Sequence, residues 1–141
     1  MARMDDAELV DWACFDQARA SLGVRLFRHL GYLREDGAKA VTQIEAAMRA
    51  GDAVSLVNPA DLLKAEAFQI GALGVASLAE EIEVQARDCI EWRQAPDNIL
   101  EIVVQLRDVF DRTVTLIDKE TNPLMVRHPV LRAKSEAFAA N

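Results

Sequence analysis

Apolar residues recur three and four positions apart along almost the whole of this chain, and nowhere do they alternate over a strand's length. That spacing puts them on one face of an α-helix and leaves no segment suited to a half-buried β-strand. The longest stripe, Leu26, Leu30, Leu33, Gly37, Val41, Ile44 and Met48, predicts one helix over about 24–50. Gly31 and Gly37 weaken it, because an interior glycine costs about 1 kcal/mol relative to alanine, and a break near "REDG" is the alternative.

The other segments follow the same period. "DDAELVDWACFDQARASLG" opens on acids suited to a helix N-terminus and closes on Gly23, so a single helix is expected there. A third helix is expected from Ser55 or Val57 to Gly71, with Pro59 in its first turn, where a proline is tolerated. From Val75 the period resumes through Leu78, Ala79, Ile82, Ala86, Cys89 and Ile90. "QAPDN" then supplies a stop and a new N-cap in Asp97 or Asn98. Ile99, Ile102, Val103, Leu106, Phe110, Thr113 and Ile117 mark a last long helix, closed by "TNP" at 121–123.

Four long amphipathic helices with short connections predict an all-α protein, an antiparallel four-helix bundle preceded by a shorter N-terminal helix. The bundle is expected over residues 1–122. Residues 123–141 differ in character: Pro129 blocks a continuous helix, and Arg127, Arg132 and Lys134 against Glu136 make the segment net basic. It is expected to be a loosely attached tail.

Half of the 141 residues are hydrophobic, enough for a core, and the formal net charge is −7. An acidic chain lacks the basic footprint that nucleic acid requires, and its few aromatics give no platform for stacking bases. Cys14 and Cys89 have no CxxC neighbour and are expected as buried apolar thiols rather than a disulfide. "MARMDDAELVDW" lacks the apolar core of a signal peptide, and no run approaches the roughly 18 apolar residues of a membrane helix. A cytoplasmic protein without a membrane partner is the expectation.

The motifs of common enzymes and metal sites are missing. The residues three before His29 and His128 are Leu26 and Met125, so the Glu-x-x-His of di-iron bundles is lacking, as are HExxH, Walker A and GxGxxG. Gly71 and Gly74 are expected to stop and restart a helix. Ser77 has no histidine near it in sequence, and Glu80, Glu81 and Glu83 are expected on a solvated helix face. No catalytic residue, metal or cofactor is expected.

"NPADLLKAEAFQIGALG" (58–74) is the exception to a plain buried helix. With Asp61 at zero on a 100° wheel, Leu56, Ala60, Leu63, Ala67 and Ile70 fall at about 180–260° and face the bundle. Val57, Lys64 and Phe68 fall at about 300–340°, Val54, Ala65 and Ala72 at about 20–40°, and Asn58 at about 60°. Asp61 is thus predicted to point away from the core, ringed by Val57, Phe68 and small residues, with one cation at i+3. A large apolar residue exposed among small ones marks a docking surface. The plainer alternative packs Phe68 against a neighbouring helix or the tail and makes Asp61 and Lys64 an ordinary surface pair.

At these residues the chain resembles the histidine-containing phosphotransfer (HPt) domains of multistep phosphorelays. Ala60-Asp61-Leu62-Leu63-Lys64-Ala65, with Gly71 seven residues after the lysine, is similar to the family's motif around its phosphoacceptor. "YLREDGAKAVTQIEAAMRAGD" and "GALGVASLAEEIE" resemble the flanking helices, and the likeness covers roughly residues 5 to 120. It implies a signalling protein rather than an enzyme, with a response-regulator receiver domain, and a histidine kinase as a further candidate, for partners. Lys64 would hold the phosphoryl group. Ala65, where the family has glycine, would leave room for the receiver, and Val57, Asn58 and Phe68 would complete the docking face. The acceptor position holds Asp61 where the family has histidine. A carboxylate would have to form an acyl phosphate, chemistry that enzymes generally support with Mg²⁺. The departure predicts that relay through position 61 is lost while the docking face is kept. A structural or scaffold bundle that acts by association, with the tail as its contact, is the reading from a different class.

Overall fold

The computed structural model describes residues 3–122, and all its regular elements are helical: α1 (Asp6–Leu9), α2 (Trp12–Leu22), α3 (Leu26–Ala50), α4 (Val54–Gln69), α5 (Leu73–Glu91) and α6 (Leu100–Thr121). Two 3-10 turns, Gly23–Arg25 and Asp97–Ile99, lead into α3 and α6. The expected all-α bundle is thus observed. Three-residue links fold α3, α4 and α5 back on one another, and each of the four long helices packs against two others, α3 on α4 and α6, α5 on α4 and α6. The stripes that define the helical period fill the centre, with Ile44, Leu56, Leu63, Ile82 and Leu106 fully buried.

The N-terminal segment departs from the single helix expected. It breaks at Val10, which is extended, and Asp11, whose carboxylate accepts the Cys14 N–H to cap α2. Leu9, Val10 and Trp12 are all buried. Successive helical residues point about 100° apart, so a continuous helix would turn one of them to solvent. The break lets all three face inward. It also brings the Asp11 N–H to the Gly71 carbonyl at 2.9 Å, which ties the short N-terminal helices to the turn between α4 and α5.

No break occurs at "REDG". α3 runs through Gly37, and the Phe110 ring of α6 lies 2.9 Å from where a Cβ at Gly37 would stand, so the glycine serves close packing. Three helices end in the same way, with crossed backbone bonds from two consecutive residues just beyond the helix. Asp52 N–H to Ala47 O and Gly51 N–H to Met48 O close α3. Ala72 to Ala67 and Gly71 to Phe68 close α4, and Gln94 to Cys89 and Arg93 to Ile90 close α5. The pivot residue has positive φ in each case: Gly51, Gly71 and, against preference, Arg93 at φ 53°.

Two further boundaries differ from expectation. Neither Asp97 nor Asn98 caps α6 with its side chain; Ile99 N–H donates to Pro96 O and a 3-10 turn feeds the helix directly. Pro59 lies in the second turn of α4, because the helix already begins at Val54, with the Asp52 carboxylate accepting both the N–H and the hydroxyl of Ser55. The carbonyl that Pro59 cannot serve belongs to Ser55, which is exposed, so water can hydrate it.

Cys14 and Cys89 are free thiols; Cys89 is buried and its Sγ donates to Ala95 O, while Cys14 is only half-buried. Burial first, and the charge of Asp11 second, push the Cys14 thiol above its ordinary pKa. Among the described residues no helix is long and apolar enough to cross a membrane. The tail expected at 123–141 lies outside the described residues, as does His128.

Candidate functional site

α4 presents two faces, as the wheel predicts. Leu56, Ala60, Leu63 and Ala67 are fully buried, and opposite them Asn58, Asp61, Ala65 and Phe68 are exposed. Phe68 keeps 48% of its surface accessible, so it is not a core residue. Val57 is half-buried and packs on the core, and it lends only its outer edge to the face. Ala72 does not join it: α4 ends at Gln69, and Ala72 is buried within the turn that follows. The wheel underrated Leu62, which is half exposed on the flank with Asn58 and adds apolar surface beside Asp61.

Lys64 is where the structure adds most. Its Nζ lies 3.4 Å from Asp61 Oδ1, the pair expected from the i+3 spacing. It also donates to Glu83 on α5, at 3.3 Å to Oε1 and 3.5 Å to Oε2. Glu83 is therefore not on a solvated face, as expected for the acidic run Glu80, Glu81 and Glu83. It is buried, at 8% accessibility, whereas Glu80 is exposed and Glu81 is half-buried beside Gln85. Arg87, one turn further along α5, brings its Nε to 3.8 Å from Glu83 Oε1. Partial burial works against the lysine's charge, but its hydrogen bonds and charge contacts with Glu83 and then Asp61 outweigh this and hold its pKa above the ordinary value.

The opposite flank of α4 carries a second acid that the sequence did not single out. Glu66 has one carboxylate oxygen buried without a hydrogen-bond partner. Burial, and then the like charge of Asp36 on α3, raise its pKa. His29 is half-buried, edge-on to Tyr32 at 6.0 Å between ring centroids, as an ordinary partly exposed histidine would be. Between the end of α3 and the start of α4 lies an open groove of about 380 Å³, lined by Gln43, Ala46, Ala47, Ala50, Asp52, Ser55 and Pro59. Its one carboxylate, Asp52, is already engaged by Ser55. Among the described residues no group of three or more His, Cys, Asp or Glu side chains is arranged to hold a metal ion.

The arrangement is a four-charge network, Asp61–Lys64–Glu83–Arg87, flanked by Leu62, Ala65 and Phe68 on the open side of α4. It offers an apolar and charged contact surface, and its two closest carboxylates are both turned to an ammonium, not to an open cation position. Comparison of the chain with protein-family models, with curated proteins and with solved structures finds no match to any of the three.

Proposed function

We propose that this chain is a phosphorelay signalling protein of the HPt type that docks a response-regulator receiver domain on α4 and does not itself relay phosphate through position 61. The observation that carries the reading is the outer face of α4. At mid-helix, directly opposite a fully buried stripe, it sets Asp61 in the open with Lys64 one turn on, a small residue at 65 and a half-exposed Phe68. A face built only for solvation would not need Phe68 and Leu62 there. Asp61 faces Lys64, and among the described residues it belongs to no group of three or more His, Cys, Asp or Glu side chains that could hold a Mg²⁺, so the acyl-phosphate route has no local support.

Two measurements test this. Titration of a candidate receiver should show Phe68→Ala weakening binding by about fivefold or more, the truncation of an interface aromatic. Helicity and melting temperature should stay within the scatter of surface substitutions. A large loss of stability would make Phe68 a core residue and end the docking assignment. Second, incubation with a radiolabelled phosphorylated receiver should leave this chain unlabelled. Label that reaches it and disappears in Asp61→Ala would overturn the loss of relay.

One observation favours the association reading as a second function. Val24, in the 3-10 turn before α3, and Phe27, in the first turn of α3, are strongly exposed. Phe27 lies two turns before Arg34, on the flank where Arg34 pairs with Asp118 of α6. Sizing of the full chain beside a 1–122 version, with and without Phe27→Ser, tests it: dimers that depend on Phe27 and bind no receiver would favour the scaffold.

A further inference from the structure

A lysine that is to meet a phosphoryl group needs a free ammonium, and that of Lys64 is already engaged by two carboxylates. Glu83 reaches it with both oxygens from the neighbouring helix, and Asp61 reaches it from the solvent side. The two carboxylates differ in freedom: the Glu83 side chain is 11% exposed and that of Asp61 61%.

We infer that Glu83 is a built-in counter-anion occupying the place at Lys64 that a phosphoryl group would take, so that the α4–α5 face engages its partner alike whether or not the partner carries phosphate. The inference deepens the receiver-docking reading and rests on it. For a phosphoryl oxygen to reach Lys64, the Glu83 carboxylate must give up its charge-assisted hydrogen bonds from a position with little access to water, which leaves an acid buried and under-paired. Arg87 does not replace the lysine, since it is mostly exposed and approaches Glu83 only to 3.8 Å. Two acids and two bases balance within the network, whereas an incoming phosphoryl group carries about −1.5 to −2 and would face Asp61 and Glu83 as like charges. Glu83 thereby acts as a specificity-determining residue: it removes the reward for phosphate and leaves Leu62, Ala65 and Phe68 to supply binding.

The test uses the full chain, isotope-labelled, with inorganic phosphate as the probe. NMR follows the Lys64 ammonium and the backbone amides of residues 61–65. The wild type should show no saturable shift. Glu83→Gln, which keeps the shape and removes the charge, should gain saturable binding, tighter by about tenfold or more, the worth of one charge-assisted hydrogen bond. A further Lys64→Met change should abolish it. If Glu83→Gln does not fold, Glu83→Asp, which retracts the carboxylate by one methylene, should show the gain in weaker form. A wild type that shifts as strongly as the variant overturns the inference, and so does a folded variant that stays silent. A receiver with and without beryllofluoride forms the second arm: the wild type should bind the two forms within about twofold of each other, and a clear preference for the loaded form refutes the inference. Failure of any receiver to bind, with the phosphate result intact, would remove the receiver reading and leave Glu83's hold on Lys64 standing.

Discussion

Gly31, Gly51 and Gly71 should respond to alanine in three different ways, and Gly71 should respond most. At φ +79° an alanine adopts a left-handed conformation, which costs about 1–2 kcal/mol. Its Cβ would also stand 2.8 Å from Asp11 O, 3.1 Å from Cys14 Cβ and 3.1 Å from Phe15 N. Two of these are backbone atoms at the start of α2, which cannot swing aside as a side-chain tip can. Overpacking of this kind costs about 1–3 kcal/mol, for a total of about 2–5 kcal/mol. At Gly51 φ is +65° but nothing lies within 4 Å, so only the conformational cost applies, about 1–2 kcal/mol. Gly31 is helical with open space around it, and alanine there should stabilise by up to about 1 kcal/mol. Urea denaturation followed by circular dichroism supplies the three midpoints and slopes. Gly71→Ala should also lower the slope if α1 and α2 detach in the native state, since less surface is then left to expose. Losses at Gly71 and Gly51 equal to within about 0.5 kcal/mol would refute the claimed contact with α2.

Further outcomes follow from the caps and charges. Arg93→Gly should raise stability by up to about 1 kcal/mol in the same assay, because Arg93 holds the left-handed pivot that Gly51 and Gly71 hold elsewhere. Glu66→Gln should raise the melting temperature at pH 7. The folded-state pKa of Glu66 is raised, so its charged form destabilises the fold above that pKa, and the benefit should fade as acid protonates the wild-type residue. Glu45 and Asp108 should show the opposite sign. Hydrogen bonds from Arg107 and Arg112 lower their pKa values, so their contribution is full above the unfolded-state values and is lost as pH falls through the folded ones; melting of Arg107→Met across pH should lose that dependence at Glu45. Lys64→Glu should lower the melting temperature, as it sets a carboxylate against Glu83, whereas Phe68→Ala should not.

Features that depend on neighbours three or four residues away are legible along the chain. The period of the apolar residues fixed the helices, and the angle of 100° per residue fixed which side of α4 is buried and that Asp61, Ala65 and Phe68 look outward. Leu62 could have been placed by the same wheel, since it lies a quarter-turn from Asp61 and off the core stripe. The tertiary structure decided whatever depends on residues distant in sequence. Nothing near Glu83 in the chain announces that it faces Lys64, 19 positions earlier on another helix; in sequence it is one acid of three. The break at Val10 and Asp11 exists because three apolar side chains must reach one core and because a carbonyl at Gly71 accepts the Asp11 N–H. The outward position of Asp61 is local to one helix and is legible along the chain, but the state of the neighbouring lysine is set across the α4–α5 seam. Helical periodicity carries information along one helix, while the pairing of charges is settled only when two helices are laid side by side.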